Sequence, residues 1–172
     1  MIVNPGKDKE ATLYLSDFAD EVRYIKLQTN DACMLEKIQK VLIDGDNVFI
    51  SSLHSNSSRL LLFNSNGLFI KEIGLQGRGP GEFNTVLDFD LDRSNKIVYI
   101  LDTPGNIYVY DYSGKYLKTI KSGSKPSKLL VSNNALYLFT AWPDYILNKG
   151  YAVQVRPLSD ENTGGFLLSR KS

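Results

Sequence analysis

Apolar residues in this chain fall in short runs bounded by turn-forming residues. The runs cover 37–44, 47–51, 60–64, 68–73, 86–92, 96–101, 106–111, 115–120, 128–132 and 135–140. Each is of strand length and rich in Val, Ile, Leu, Tyr and Phe, the residues that suit a pleated surface. The connectors Gly45-Asp46, Ser65-Asn66-Gly67, Arg93-Ser94-Asn95, Tyr112-Ser113-Gly114 and Asn133-Asn134 are of turn type. No segment keeps a 3.6-residue apolar period for three turns, and the best helical candidate, 16–20, is one turn at most. The pattern predicts an all-β, antiparallel protein.

A repeat is superimposed on this pattern. Residues 63–73 (FNSNGLFIKEI) align with 110–120 (YDYSGKYLKTI) at an offset of 47. Upstream of each copy the order is the same: strand, tight turn, strand, loop, strand. A looser third copy runs through 128–132, 135–142, 151–157 and 166–170. The unit is a four-stranded meander of the size of a propeller blade. Runs such as 97–101 and 60–63 are apolar on both faces. A two-layer sandwich wets one face of each sheet, so such runs fit sheets stacked face to face around an axis. The expected fold is a single partial β-propeller domain over 1–172, with three four-stranded antiparallel blades at about 37–73, 86–120 and 128–170. A strand region at 12–29 precedes them, and its segment 21–29 is expected to pair across a ring closure.

Composition narrows the function. The chain has 172 residues, 42% hydrophobic and 23% charged, with a net charge of +1. That balance argues against a general nucleic-acid binder and against an acidic disordered chain. Cys33, the one cysteine, has no intramolecular partner, and a single histidine leaves little for zinc sites or catalytic triads. No run approaches the ~18 apolar residues of a membrane span. Residues 1–10 show no apolar signal-peptide core, so no signal peptide is expected in this chain.

The most distinctive motif is 74–83, GLQGRGPGEF. As a phosphate loop it lacks the Gly-Lys-Ser/Thr ending, and as a dinucleotide fingerprint it lacks the spacing and the following helix. It fits a crossing between blades: glycines supply positive φ, Pro80 fixes one φ and Phe83 plugs between sheets. Arg78 and Glu82 remain as candidate ligand contacts. Asp88, Asp90 and Asp92 share one strand face, since strand side chains alternate. Three carboxylates there suit Ca²⁺, with Asp88 and Asp90 the candidate ligands, although the EF-hand pattern is not met. His54 sits in a polar loop with no partner motif, and Cys33 has neither a CxxC pattern nor a nearby histidine. Trp142 and Tyr145 lie in an aromatic loop that suits sugar or protein contacts.

The segment GLQGRGPGEF, with 88–92 (DFDLD), 97–102 (IVYILD), 107–111 (IYVYD) and Ser113-Gly114-Lys115, resembles an NHL-type repeat. The opening LSDF at 15–18 with 21–29 (EVRYIKLQT) resembles the start of the six-bladed β-propeller proteins common in Bacteroidetes. The resemblance implies an exported, periplasmic or cell-surface protein. It also implies a binding module for a protein or carbohydrate ligand, held by the loops or the central funnel, with no resident cofactor. Related propellers include metal-dependent lactonases and lyases, which is one alternative reading; a truncated structural fragment without its own activity is the other. With three blades against the family's six, a homodimer that completes the ring is the expected assembly.

Overall fold

The computed structural model describes residues 14–54, 57–103, 105–123, 125–140, 153–158 and 166–168. Twelve strands form three four-stranded antiparallel sheets in chain order. Sheet A holds β1 (Lys37–Asp44), β2 (Asn47–His54), β3 (Ser57–Asn64) and β4 (Phe69–Glu72). Sheet B holds β5 (Asp88–Asp92), β6 (Ile97–Leu101), β7 (Asn106–Asp111) and β8 (Tyr116–Lys121). Sheet C holds β9 (Lys128–Ser132), β10 (Ala135–Phe139), β11 (Val153–Pro157) and β12 (Phe166–Leu168). Each sheet is a meander with neighbours paired in sequence order. The described residues include one 3-10 turn, Leu15–Asp17, and no helix long and apolar enough to cross a membrane.

The two-faced apolar runs now have a cause. Sheet B is sandwiched between the other two. Along β6, Val98 and Ile100 face sheet A, in a core with Phe49, Leu60, Leu62, Phe89 and Leu91. The alternate residues Tyr99 and Leu101 face sheet C, in a second core with Ile107, Val109, Leu129, Leu136 and Leu138. Each fully buried Val, Leu, Ile or Phe contributes about 1.5–3 kcal/mol relative to exposure, so both faces of sheet B stabilise the stack. A third, smaller core lies on the far face of sheet A, where Leu27, Cys33 and Leu35 pack on Val48, Ile50, Leu61 and Phe63.

The repeat is visible in its turns. Asn64 Oδ1 accepts from the amides of Asn66 and Leu68, and Asp111 Oδ1 accepts from Lys115 N and the Ser113 hydroxyl. Both turns then need a left-handed residue, supplied by Gly67 (φ 80°) and Gly114 (φ 85°).

The expected strand at 21–29 is not formed. Residues 21–29 join no ladder among the described residues. Gln28 docks on the β3–β4 turn, donating its amide to Gly67 O (2.8 Å) and accepting from Phe69 N at Oε1 (3.0 Å). Ahead of it, Val22 and Ile25 are exposed and Tyr24 is 95% exposed.

Candidate functional site

Two regions gather the chemistry singled out in the sequence: the connection from sheet A to sheet B, and the first strands of the three sheets, β1, β5 and β9. The connection, 73–87, is pinned at many points. Gly77 N donates to Phe83 O (2.9 Å) and Phe83 N to Leu75 O (3.1 Å), which folds the segment on itself. Ser58 ties its base: its amide donates to Gln76 Oε1 (3.0 Å) and its hydroxyl accepts from Val86 N (2.8 Å). Asp102, buried at the end of β6, accepts from Asn84 N and Thr85 N, both at 3.0 Å. Phe83 is fully buried between the sheets. Positive φ falls on Gly74 and Gly81, and not on Gly79 at the centre of the motif. The Tyr110 hydroxyl donates to Gly81 O, and burial keeps that hydroxyl protonated well above the ordinary tyrosine range.

Glu82 and Arg78 part company here. The Glu82 carboxylate turns inward and accepts from Gly79 N (2.8 Å). Arg78 is exposed and has no hydrogen-bond or charge partner among the described residues. The loop is thus a rigid frame that holds one guanidinium out to solvent.

On these first strands the acidic residues are joints. Asp88 and Asp90 are both buried. Asp88 Oδ2 accepts from Leu129 N (3.0 Å) and Asp90 Oδ2 from Val131 N (2.7 Å), so two carboxylates of β5 satisfy two amides of β9. Their other oxygens are also engaged. Asp88 Oδ1 accepts from Lys40 Nζ (3.0 Å) and Asp90 Oδ1 from Leu91 N (2.9 Å). Lys40, on β1, donates as well to Phe89 O (2.6 Å). A chain Lys40–Asp88–Leu129 therefore links all three sheets. Asp92 serves its own turn, accepting from Asn95 N and Nδ2. Asp88 and Asp90, the candidate cation ligands, thus each carry hydrogen bonds on both carboxylate oxygens. Among the described residues no three His, Cys, Asp or Glu side chains gather in a metal-binding cluster. Lys40 and Ser58 were not singled out in the sequence, because a lone Lys or Ser in a strand carries no motif, while Asp102 reads as a turn cap at a strand end.

The outer ends of the two interfaces differ. Between A and B, Asp44 accepts from Lys96 Nζ and the Tyr112 hydroxyl, each at 2.8 Å. The Lys96 bond first, then the Tyr112 bond, holds the Asp44 carboxyl below its ordinary range. Between B and C a polar groove of about 370 Å³ opens instead, lined by Asp92, Arg93, Asn95, Ser132, Asn133 and Asn134 among others. Trp142 and Tyr145 lie outside the described residues, as do the loop residues around them.

The arrangement defines a class: an all-β protein of consecutive, face-stacked four-stranded sheets with hydrogen-bonded first strands. Residues 2–151 match the domain family DUF4934, described as a domain of unknown function, and the chain belongs to that family. A crystal structure described as an exported protein of Bacteroides fragilis NCTC 9343 is similar at 24% identity and a TM-score of 0.68. The match covers 80% of this chain and 39% of that one. A member of the DUF4221 family from Bacteroides vulgatus ATCC 8482 is similar at 9% identity and a TM-score of 0.56, over 79% of this chain and 44% of that one. The chain thus spans less than half the length of either. No curated protein matches it. At these identities the solved structures speak for the fold alone.

Proposed function

We propose that the three sheets are blades of a β-propeller and that the protein is a non-catalytic binding module for a protein or glycan ligand. Consecutive meanders, adjacent first strands and solved relatives about twice as long all support the propeller reading. The observation that carries the binding reading is Arg78. A loop fixed by Glu82, Tyr110, Ser58 and Asp102 holds an unpartnered guanidinium in solvent, and such preorganisation favours recognition of an acidic group. The export description of the Bacteroides fragilis relative, with the family resemblance, supports a periplasmic or cell-surface setting.

The test presents the full chain and an Arg78→Ala variant to arrays of acidic glycans and acidic peptides. Saturable binding to one class, weakened about tenfold by the variant, is the expected result, since a charge-assisted bond is worth about 1.5–3 kcal/mol. Lactone turnover that depends on added Ca²⁺ would instead establish the metal-dependent enzyme reading.

A further inference from the structure

The first strands of the three sheets can be laid over one another by their hairpin ends. The closing pairs are Asp44↔Asn47, Asp92↔Ile97 and Ser132↔Ala135. Counting back from these, Lys40, Asp88 and Lys128 occupy one position, and Leu42, Asp90 and Leu130 another. Val41, Phe89 and Leu129 form a third set, and Ile43, Leu91 and Val131 a fourth.

In this frame the outer side of sheet A is unfinished. Phe89 and Leu91 are buried against sheet A, and Leu129 is buried against sheet B. Their counterparts Val41 and Ile43 are 44% and 54% exposed. The cover from Leu27, Cys33 and Leu35 reaches β2 and β3 and stops short of β1. The backbone tells the same story. In β9 the amides of Leu129 and Val131 point away from β10 and are taken by Asp88 and Asp90. The β1–β2 hairpin closes over two residues as the β9–β10 hairpin does, so Val41 and Ile43 direct their amides outward in the same way.

Charge selects the occupant. At the shared position Lys40 of sheet A reaches Asp88 of sheet B (3.0 Å), while at the B–C interface Asp88 and Asp90 take two backbone amides of β9. A second copy that placed its sheet C on this sheet A would bring Lys128 to Lys40, and Leu130 to where a carboxylate is needed. We propose that the open side of sheet A docks a further β-sheet, distinct from a copy of this chain. Its first strand carries carboxylates at i and i+2, one beside Lys40 on the Val41 amide and one on the Ile43 amide. This surface is separate from Arg78, so its failure leaves the ligand reading untouched.

The protein already contains a strand of the required chemistry, which supplies the probe. The uniformly ¹⁵N-labelled full chain is titrated with a synthetic peptide of the 86–92 sequence, VLDFDLD, and with a version carrying Asn at both inner acidic positions. The Asp peptide should shift the Val41 and Ile43 amide resonances saturably, while the Asn peptide leaves them in place. No shift, or equal shifts from both peptides, overturns the proposal. Sedimentation of the chain alone should give the 19.3 kDa monomer. A dimer in which the Val41 and Ile43 amides are protected from exchange would make the second copy the occupant and overturn it as well.

Discussion

The A–B and B–C interfaces join sheets of identical strand order by different chemistry. Between A and B the contact is mainly apolar: Phe49, Leu60, Leu62, Phe89, Leu91, Val98, Ile100 and the inserted Phe83 form one buried cluster. Its end is stoppered by Tyr112, whose ring meets Phe49 edge-on at 4.8 Å and whose hydroxyl joins Lys96 on Asp44. Between B and C the apolar cluster is smaller, and carboxylates do part of the joining. Arg156 adds a bond from β11 to Lys121 O (2.8 Å). At the positions of Lys96 and Tyr112, sheet C has Asn134 and Leu158, which line the open spaces at that end. Repeated sheets thus need only a shared strand register to stack. What fills the gap between them is free to vary, and the variation decides whether an interface is closed or leaves a groove.

The comparison is tested most severely in the A–B cluster. Phe89 is fully buried there, and Phe89→Ala should cost about 3–5 kcal/mol, the range for truncating a buried aromatic. Urea unfolding measures it. A loss below ~1 kcal/mol would mean that the A–B cluster is not the main source of stability.

At the B–C interface the expected loss is smaller and of a different kind. Asp90→Ala removes the acceptor for Val131 N and Leu91 N and strands buried amides, at about 1–3 kcal/mol. Asp90→Asn keeps one oxygen and should lose less. Equal losses for the two variants would show that volume, and not amide capture, is what Asp90 supplies.

Much of this was legible in the sequence because strand burial writes itself into alternation. The run Ile97–Leu101 is apolar throughout because its two faces meet two different sheets. The paired turns at Asn64 and Asp111 announced the repeat because each needs an Asx acceptor and a following glycine. The carboxylates of β5 were visible as a one-faced pair, but their partners were not. A backbone amide forty-one residues away leaves no mark in side-chain pattern. The segment 21–29 was expected from the resemblance to pair across a ring closure, and in the described residues it docks through Gln28 on the β3–β4 turn. Of the candidate contacts, Arg78 and Glu82 looked alike in a glycine-rich loop. Only the fold separates the one that closes the loop from the one it displays.

The smallest effect belongs to the stopper at the A–B end, and it has a pH signature. Asp44 is held below the ordinary carboxylate pKa of 3.8 by Lys96 and Tyr112. A depressed carboxylate stabilises the fold above its unfolded-state pKa, and the benefit disappears as pH falls through the folded-state value. The stopper should therefore be at full strength near neutrality and lost in strong acid. An ion pair whose lysine lies largely in solvent is worth about 0.2–1 kcal/mol. Asp44→Asn removes the charge, so wild type and variant should differ by that amount at neutral pH and converge in strong acid, once the pH has fallen through the lowered folded-state value. The gap at neutral pH should also shrink in high salt, because the Lys96 side chain is 58% exposed and is screened. Unfolding curves of both proteins at the two pH values measure the difference. A gap that persists in acid would assign the stabilisation to the packing of Tyr112 on Phe49, and would make the A–B end an apolar closure without an ionic part.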